Sequence, residues 1–203
     1  MKIIFLLLSG LFLFQINVLS QNDFPDERTK RDYKEIISLY PDFLVSHLPK
    51  NLDDVKFANP GLLFPRGKYL NYIHLMVPYE DEKIEELKIE AASKAKGIYH
   101  FGDSLLMLPY NYEKFEIIKS DSIQNIPFVS MLPLPNFYSW LYDFPPAFYK
   151  EAVIYLFDAE KGNFLTDNSL SKNGVGLPEA WKHGYTKGAV FYKNFIFYWL
   201  EVW

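Results

Sequence analysis

The chain has 203 residues, a formal net charge of −4 at pH 7 and no cysteine. It therefore holds neither a disulfide nor a thiolate metal site, and lipid anchoring through a cysteine is excluded. No block of like charge offers a footprint for nucleic acid, while 18% aromatic residues point to a thick aromatic core, an aromatic recognition surface, or both.

Met1-Lys2, the apolar run Ile3 to Phe14 and the stretch "QINVLSQ" follow the order of a secretory signal peptide, with Val18 and Ser20 at the −3 and −1 positions. This predicts a signal peptide over 1–20, cleavage after Ser20, and one globular domain over 21–203. The alternative is an uncleaved anchor, but the run is shorter than the ~20 residues a spanning helix needs, and Gln15 and Asn17 interrupt it. The expectation is a protein of the periplasm or the extracellular space, with no stable membrane anchor after cleavage.

"DERTKRDYKEIISLY" (26–40) predicts an N-terminal helix, with Tyr33, Ile36, Ile37 and Tyr40 at helical spacing and Pro41 ending it. "FLVSHL" (43–48) predicts a short helical turn, and residues 51–67, with Pro60, Gly61, Pro65 and Gly67, a loop. "YLNYIHLMVPY" (69–79) reads as a strand. A central helix follows over about 80–96, with Ile84, Leu87, Ala91 and Ala95 on one stripe, acids first, lysines last, and Gly97 as a C′ stop. "GIYHFGDSLLMLPY" (97–110) predicts two short strands around Gly102-Asp103. The Pro- and aromatic-rich segment 126–147 fits no period. "AVIYLFD-AEKG-NFL" and "GAVFY-KN-FIFYWLEVW" predict C-terminal hairpins, and "LPEAWKHG" one helical turn. The last run is apolar on both alternating faces except at Glu201, which predicts a central strand covered on both sides. The fold class is α+β: a mostly antiparallel sheet packed by the N-terminal and central helices.

"HFGDSLL" (100–106) resembles the first block of the GDSL/SGNH hydrolases. The resemblance implies a nucleophile at Ser104, served by a C-terminal His with an Asp three residues before it and by Gly and Asn oxyanion donors. Serine needs that base to attack at neutral pH. His183 is the only histidine after Ser104, Ala180 stands three residues before it, and no Gly-x-Asn-Asp block follows. A strand-like run and Pro109 stand where the family places a helix. Ser104 is therefore expected in a turn, where Gly102 and Asp103 tolerate a positive φ. A serine hydrolase using Ser104 is the alternative.

Other constellations are weaker. "GLLFPRGKY" (61–69) departs from a phosphate-binding loop in spacing and at Tyr69, and "DAEKGN" (158–163) lacks the later ligands of a calcium loop. His47, His74, His100 and His183 lack metal-ligand spacing. The carboxylates of 80–90 alternate with lysines as on a solvated face. No cofactor or metal is expected.

Two aromatic clusters remain as candidate ligand contacts: Tyr138, Trp140 and Tyr142 at alternating positions, and Trp181, His183 and Tyr185. They suit stacking on a glycan or anchoring a protein partner, or they fill the core. Trp-x-His-Gly-Tyr-x-x-Gly at 181–188, followed by Tyr-Trp-x-x-x-Trp at 198–203, resembles the ends of exported bacterial proteins of unassigned activity, which implies a bacterial origin alone. The functional expectation is a non-catalytic binding or interaction module with an aromatic contact surface.

Overall fold

The computed structural model describes residues 25–55, 58–62, 70–118 and 132–203. The expected signal peptide, most of the 61–69 loop and the start of the 126–147 segment lie outside them. In chain order the elements are α1 (Glu27–Ser38), α2 (Asp42–Val45), β1 (Asn59–Leu62), β2 (Asn71–Pro78), α3 (Asp81–Lys94), β3 (Gly97–His100), β4 (Tyr110–Asn111), β5 (Glu116–Ile117), α4 (Phe148–Glu151), β6 (Val153–Lys161), β7 (Gly184–Tyr192) and β8 (Phe195–Val202). Six strands form one sheet in the order β1-β2-β8-β7-β6-β3, with every pair antiparallel, while β4 and β5 form a small separate ribbon. The molecule is α+β.

The two long helices form where the pattern places them. Asp26 caps α1 by accepting the Thr29 N–H at 2.7 Å, and Tyr33 and Ile36 are buried on its inner face. The Tyr33 hydroxyl donates to the Pro49 carbonyl at 2.6 Å, which ties α1 to the chain after α2. The α3 stripe turns inward, with Ile84 and Ala91 buried and Leu87 half-buried. The end of α3 differs from expectation. Ala95 is already extended at φ −69°, ψ 131°, Lys96 donates its N–H to the Leu156 carbonyl, and Gly97 is the first residue of β3 instead of a left-handed stop.

β8 lies inside the sheet between β2 and β7, as its two apolar faces require. Ile196, Tyr198, Leu200 and Val202 face one side, where α1 and α3 cover them with Tyr33, Ile36, Ile84 and Ala91. Phe197, Trp199 and Trp203 face the other, where the irregular segments around Phe101–Tyr112 and Leu134–Phe148 cover them. The sheet thus has a helix face and a loop face. The β7–β8 turn is Lys193-Asn194, with Lys193 at φ 53°, the left-handed conformation that two-residue hairpin loops favour.

Two expected pairings are not formed. The chain after Ser104 does not pair with β3. It leaves the sheet, makes one parallel bridge between Met107 and Leu134, and lies across the loop face. Likewise "AEKG" is no turn: β6 runs on through Lys161 and pairs with β7 after a long connection. The strands expected directly after Ser104 and at 163–165 are not formed, because an apolar run does not by itself encode its partner.

Candidate functional site

Ser104 is exposed and, among the described residues, makes no hydrogen bond. The turn before it is closed by Asp103, whose N–H donates to the His100 carbonyl at 3.0 Å and whose carboxylate accepts the His100 N–H at 2.7 Å. Neither Gly102 nor Asp103 has a positive φ. The side-chain acceptor of Asp103, not left-handed freedom, makes this turn.

The six candidate contact residues do not share one platform, and Tyr185 is buried in the core on the helix face. Tyr138 is 58% exposed and stacks on Tyr149, with centroids 4.9 Å apart and an interplanar angle of 14°. Trp140, only 5% exposed, stacks on His74 at 4.1 Å. Tyr142 is half-buried against Phe197 at 5.7 Å. Phe137–Ser139 form a 3₁₀ turn, so alternate residues leave on different sides instead of sharing a face. Trp181 is buried against Trp203 with the Lys161 ammonium 5.1 Å from its ring. His183 is half-buried with its Nδ1 lacking a hydrogen-bond partner.

Tyr142 does enter a groove on the loop face. Met76, Tyr142, Phe144, Tyr192, Phe195 and Phe197 line a cavity of about 360 Å³, with the Asp143 carboxylate among its polar groups. Phe144 meets Tyr149 at 6.2 Å, so the Tyr138–Tyr149 stack, exposed at Tyr138, continues into the groove wall. Strand alternation places Phe195 and Phe197 on this side; the return of the chain through Pro145 supplies the opposite wall.

A polar network lies deeper on the same face. Glu201 is fully buried. Its Oε1 accepts from the Tyr112 hydroxyl at 2.5 Å and lies 2.8 Å from His74 Nε2. Tyr72 pairs with Glu201 in the β2–β8 register and stacks on one side of the His74 ring at 4.6 Å. Trp140 covers His74 as well. Glu201 Oε2 has no hydrogen-bond partner. Burial holds the His74 imidazole below its ordinary pKa, with the Glu201 hydrogen bond pulling the other way. Burial and the Glu201 charge push the Tyr112 phenol well above its usual range. The sequence marks Glu201 as the one polar exception in β8, but not His74 or Tyr112 as its partners.

A dense set of titratable groups beside an open cavity lies on the helix face, and sequence reasoning missed it. β6 carries a bulge between Leu156 and Asp158. One extra residue brings Phe157 and Asp158 together to this side, where they line a cleft of about 470 Å³ with His47, Glu90, Lys94 and Lys187. Leu87, Ala91, Phe191 and Tyr198 add apolar walls. Lys187, opposite Asp158 in the register, is 9% exposed and donates from Nζ to the Phe43 carbonyl. Asp158 accepts from Lys96 Nζ and from the Tyr185 hydroxyl, the latter at 2.6 Å. Burial pushes the Lys187 amine below the usual lysine range, and Lys96 adds to this, while Asp158 and Glu160 oppose it. His47 bonds through Nε2 to the Trp199 carbonyl at 2.8 Å, and burial pushes its pKa down to about 3. A lysine at the midpoint of a strand is the sequence signal for this site; the bulge that gives it a carboxylate neighbour leaves none.

Among the described residues, no three His, Asp or Glu side chains gather as a metal site, and no helix is long and apolar enough to cross a membrane. Comparison with protein-family models, curated proteins and solved structures finds no match to the chain.

Proposed function

We propose that the protein is an exported, non-catalytic binding module whose contact surface is the aromatic groove beside Tyr142, and that its ligand is a short neutral saccharide. The observation that carries this reading is the continuity of aromatic rings, from exposed Tyr138 through half-buried Tyr149 and Phe144 into the groove. Flat rings offer apolar area to the C–H faces of sugars at low entropic cost, and the exposed Asp143 carboxylate accepts hydrogen bonds from sugar hydroxyls. The volume, about 360 Å³, sits at the small end of ligand sites. Export rests on the N-terminal pattern of Lys2, the apolar run and Ser20.

The test is calorimetric titration of the protein over 21–203 with cellotriose, chitotriose and maltotriose. Binding of at least one is expected, weakened about tenfold, or roughly 1.4 kcal/mol, by Phe195→Ala and by Asp143→Asn. A folded protein that binds none of them overturns the ligand class. Labelling of Ser104 by a fluorophosphonate probe replaces the reading with the hydrolase. Expression of the full chain in a bacterial host is expected to yield extracytoplasmic protein beginning at Gln21.

A further inference from the structure

We propose that the helix-face cleft is a covalent binding site for small uncharged aldehydes, with the Lys187 amine as its nucleophile. The reading is independent of the saccharide groove, which lies on the opposite face of the sheet.

Three observations converge. The first is space: the cleft, about 470 Å³, accommodates a molecule the size of an aromatic aldehyde, and Glu90 and Lys94 at its edge are at least half exposed, so it opens to solvent. The second is the lining. Leu87, Ala91, Phe157, Phe191 and Tyr198 receive an apolar body. The third is the placement of the amine. Lys187 lies in a strand buried along its whole length, with its Nζ held by the Phe43 carbonyl instead of reaching into water.

The charged groups around Lys187 come from every element packed on it. Asp158 and Glu160 belong to β6, Lys96 follows α3, Glu90 and Lys94 belong to α3, and His47 follows α2. Glu90 is occupied by Lys94, and Asp158 by Lys96 and Tyr185. No ion pair joins Lys187 to either carboxylate among the described residues. An ammonium here lacks the direct partner that a buried charge requires, which favours the free amine that attacks carbonyl carbon. With the amine uncharged, the cleft lining holds two carboxylates against the Lys94 ammonium, which disfavours an anionic aldehyde.

In the step itself the Nζ lone pair attacks the carbonyl carbon and the C=O π electrons move to oxygen. A proton passes from nitrogen to oxygen through solvent, giving a carbinolamine. Loss of the hydroxyl with a second nitrogen proton forms C=N and releases one water. Uptake of a solvent proton gives the iminium, whose N–H replaces the amine N–H in donating to the Phe43 carbonyl, and whose charge lies beside Asp158. Nothing is oxidised or reduced.

The experiment is reaction of the protein over 21–203 with benzaldehyde at pH 7, trapping with cyanoborohydride, and peptide mapping by mass spectrometry. At limiting aldehyde, Lys187 is expected to carry at least ten times the benzyl adduct found on the exposed Lys50 or Lys172. Its labelling should reach half-maximum at a lower pH than theirs. Lys187→Arg should abolish the dominant adduct while leaving the circular dichroism spectrum and the saccharide titration unchanged. Labelling of Lys187 no greater than that of Lys50 overturns the site. A Lys187 preference for glyoxylate over benzaldehyde overturns the ligand class.

Discussion

Replacing Glu201 by leucine is nearly isosteric but strands two buried donors. His74 Nε2 and the Tyr112 hydroxyl both end on Glu201 Oε1, and neither His74 nor Tyr112 is more than 3% exposed, so water cannot substitute. A buried polar group that loses its partner costs about 1–3 kcal/mol, and two are stranded here. Glu201→Leu should therefore cost about 4 kcal/mol, lowering Tm by roughly 10 °C for a domain of this size. The triple variant Glu201→Leu, His74→Phe, Tyr112→Phe should behave differently. It removes all three polar groups, keeps an aromatic ring between Tyr72 and Trp140, and relieves the burden of Oε2, which is buried without a partner. Its stability should fall within about 1.5 kcal/mol of the parent. Urea unfolding with linear extrapolation measures both. The reasoning fails if Glu201→Leu alone costs under about 1 kcal/mol, or if the triple variant is no more stable than the single one.

Stability should also fall on mild acidification. His47 and His74 have folded-state pKa values below the unfolded value of 6.5, so the unfolded chain binds more protons as pH drops through 6.5. Stability is then full above that value and declines below it, approaching about 1.4 kcal/mol per pH unit for each histidine. Urea midpoints measured from pH 8 to 5.5 should show this decline and His47→Gln should shallow it; a flat profile counts against both assignments. At Gly188 a Cβ would lie 2.2 Å from the Tyr155 carbonyl oxygen and 2.3 Å from the Trp199 ring. Because the nearest atom is sheet backbone, Gly188→Ala should cost about 3 kcal/mol or more. Gly61→Ala meets nothing closer than 3.5 Å and should change stability by under about 1 kcal/mol. Equal costs at the two sites by thermal unfolding would contradict the packing described.

What the sequence reveals follows the range of the interactions involved. α1 and α3 are legible because a 3.6-residue period, joined in α1 by the Asp26 cap, acts within one segment. The central place of β8 is legible because Phe195 to Val202 carries apolar residues on both faces. Partner choice is not legible. β6 and β7 satisfy the same alternation whether they pair with each other or with nearer segments, and the intervening chain from Gly162 to His183 carries no turn signal specifying the join. The aromatic run from Tyr138 to Tyr142 misleads for a related reason: its alternation has meaning only on a strand, and Phe137–Ser139 is a 3₁₀ turn.

The two polar clusters owe their different readings to access, not to composition. His74, Glu201 and Tyr112 include the residue types of an acid–base site, but Tyr72 and Trp140 stack over the imidazole and all three side chains are buried. Its hydrogen bonds connect β2 to β8 and fasten the segment around Tyr112 to the sheet, which is structural work. Lys187 and Asp158 use fewer groups and sit in a cleft open to solvent. What separates them from another buried pair is one residue in β6. Were β6 regular, with Leu156 still opposite Gly188, Phe157 would lie opposite Lys187 and strand alternation would carry Asp158 to the loop face with Leu156. Lys187 would then face the cleft without that carboxylate beside it. Chemistry at this protein's helix face therefore depends on an irregularity that neither propensity nor periodicity encodes.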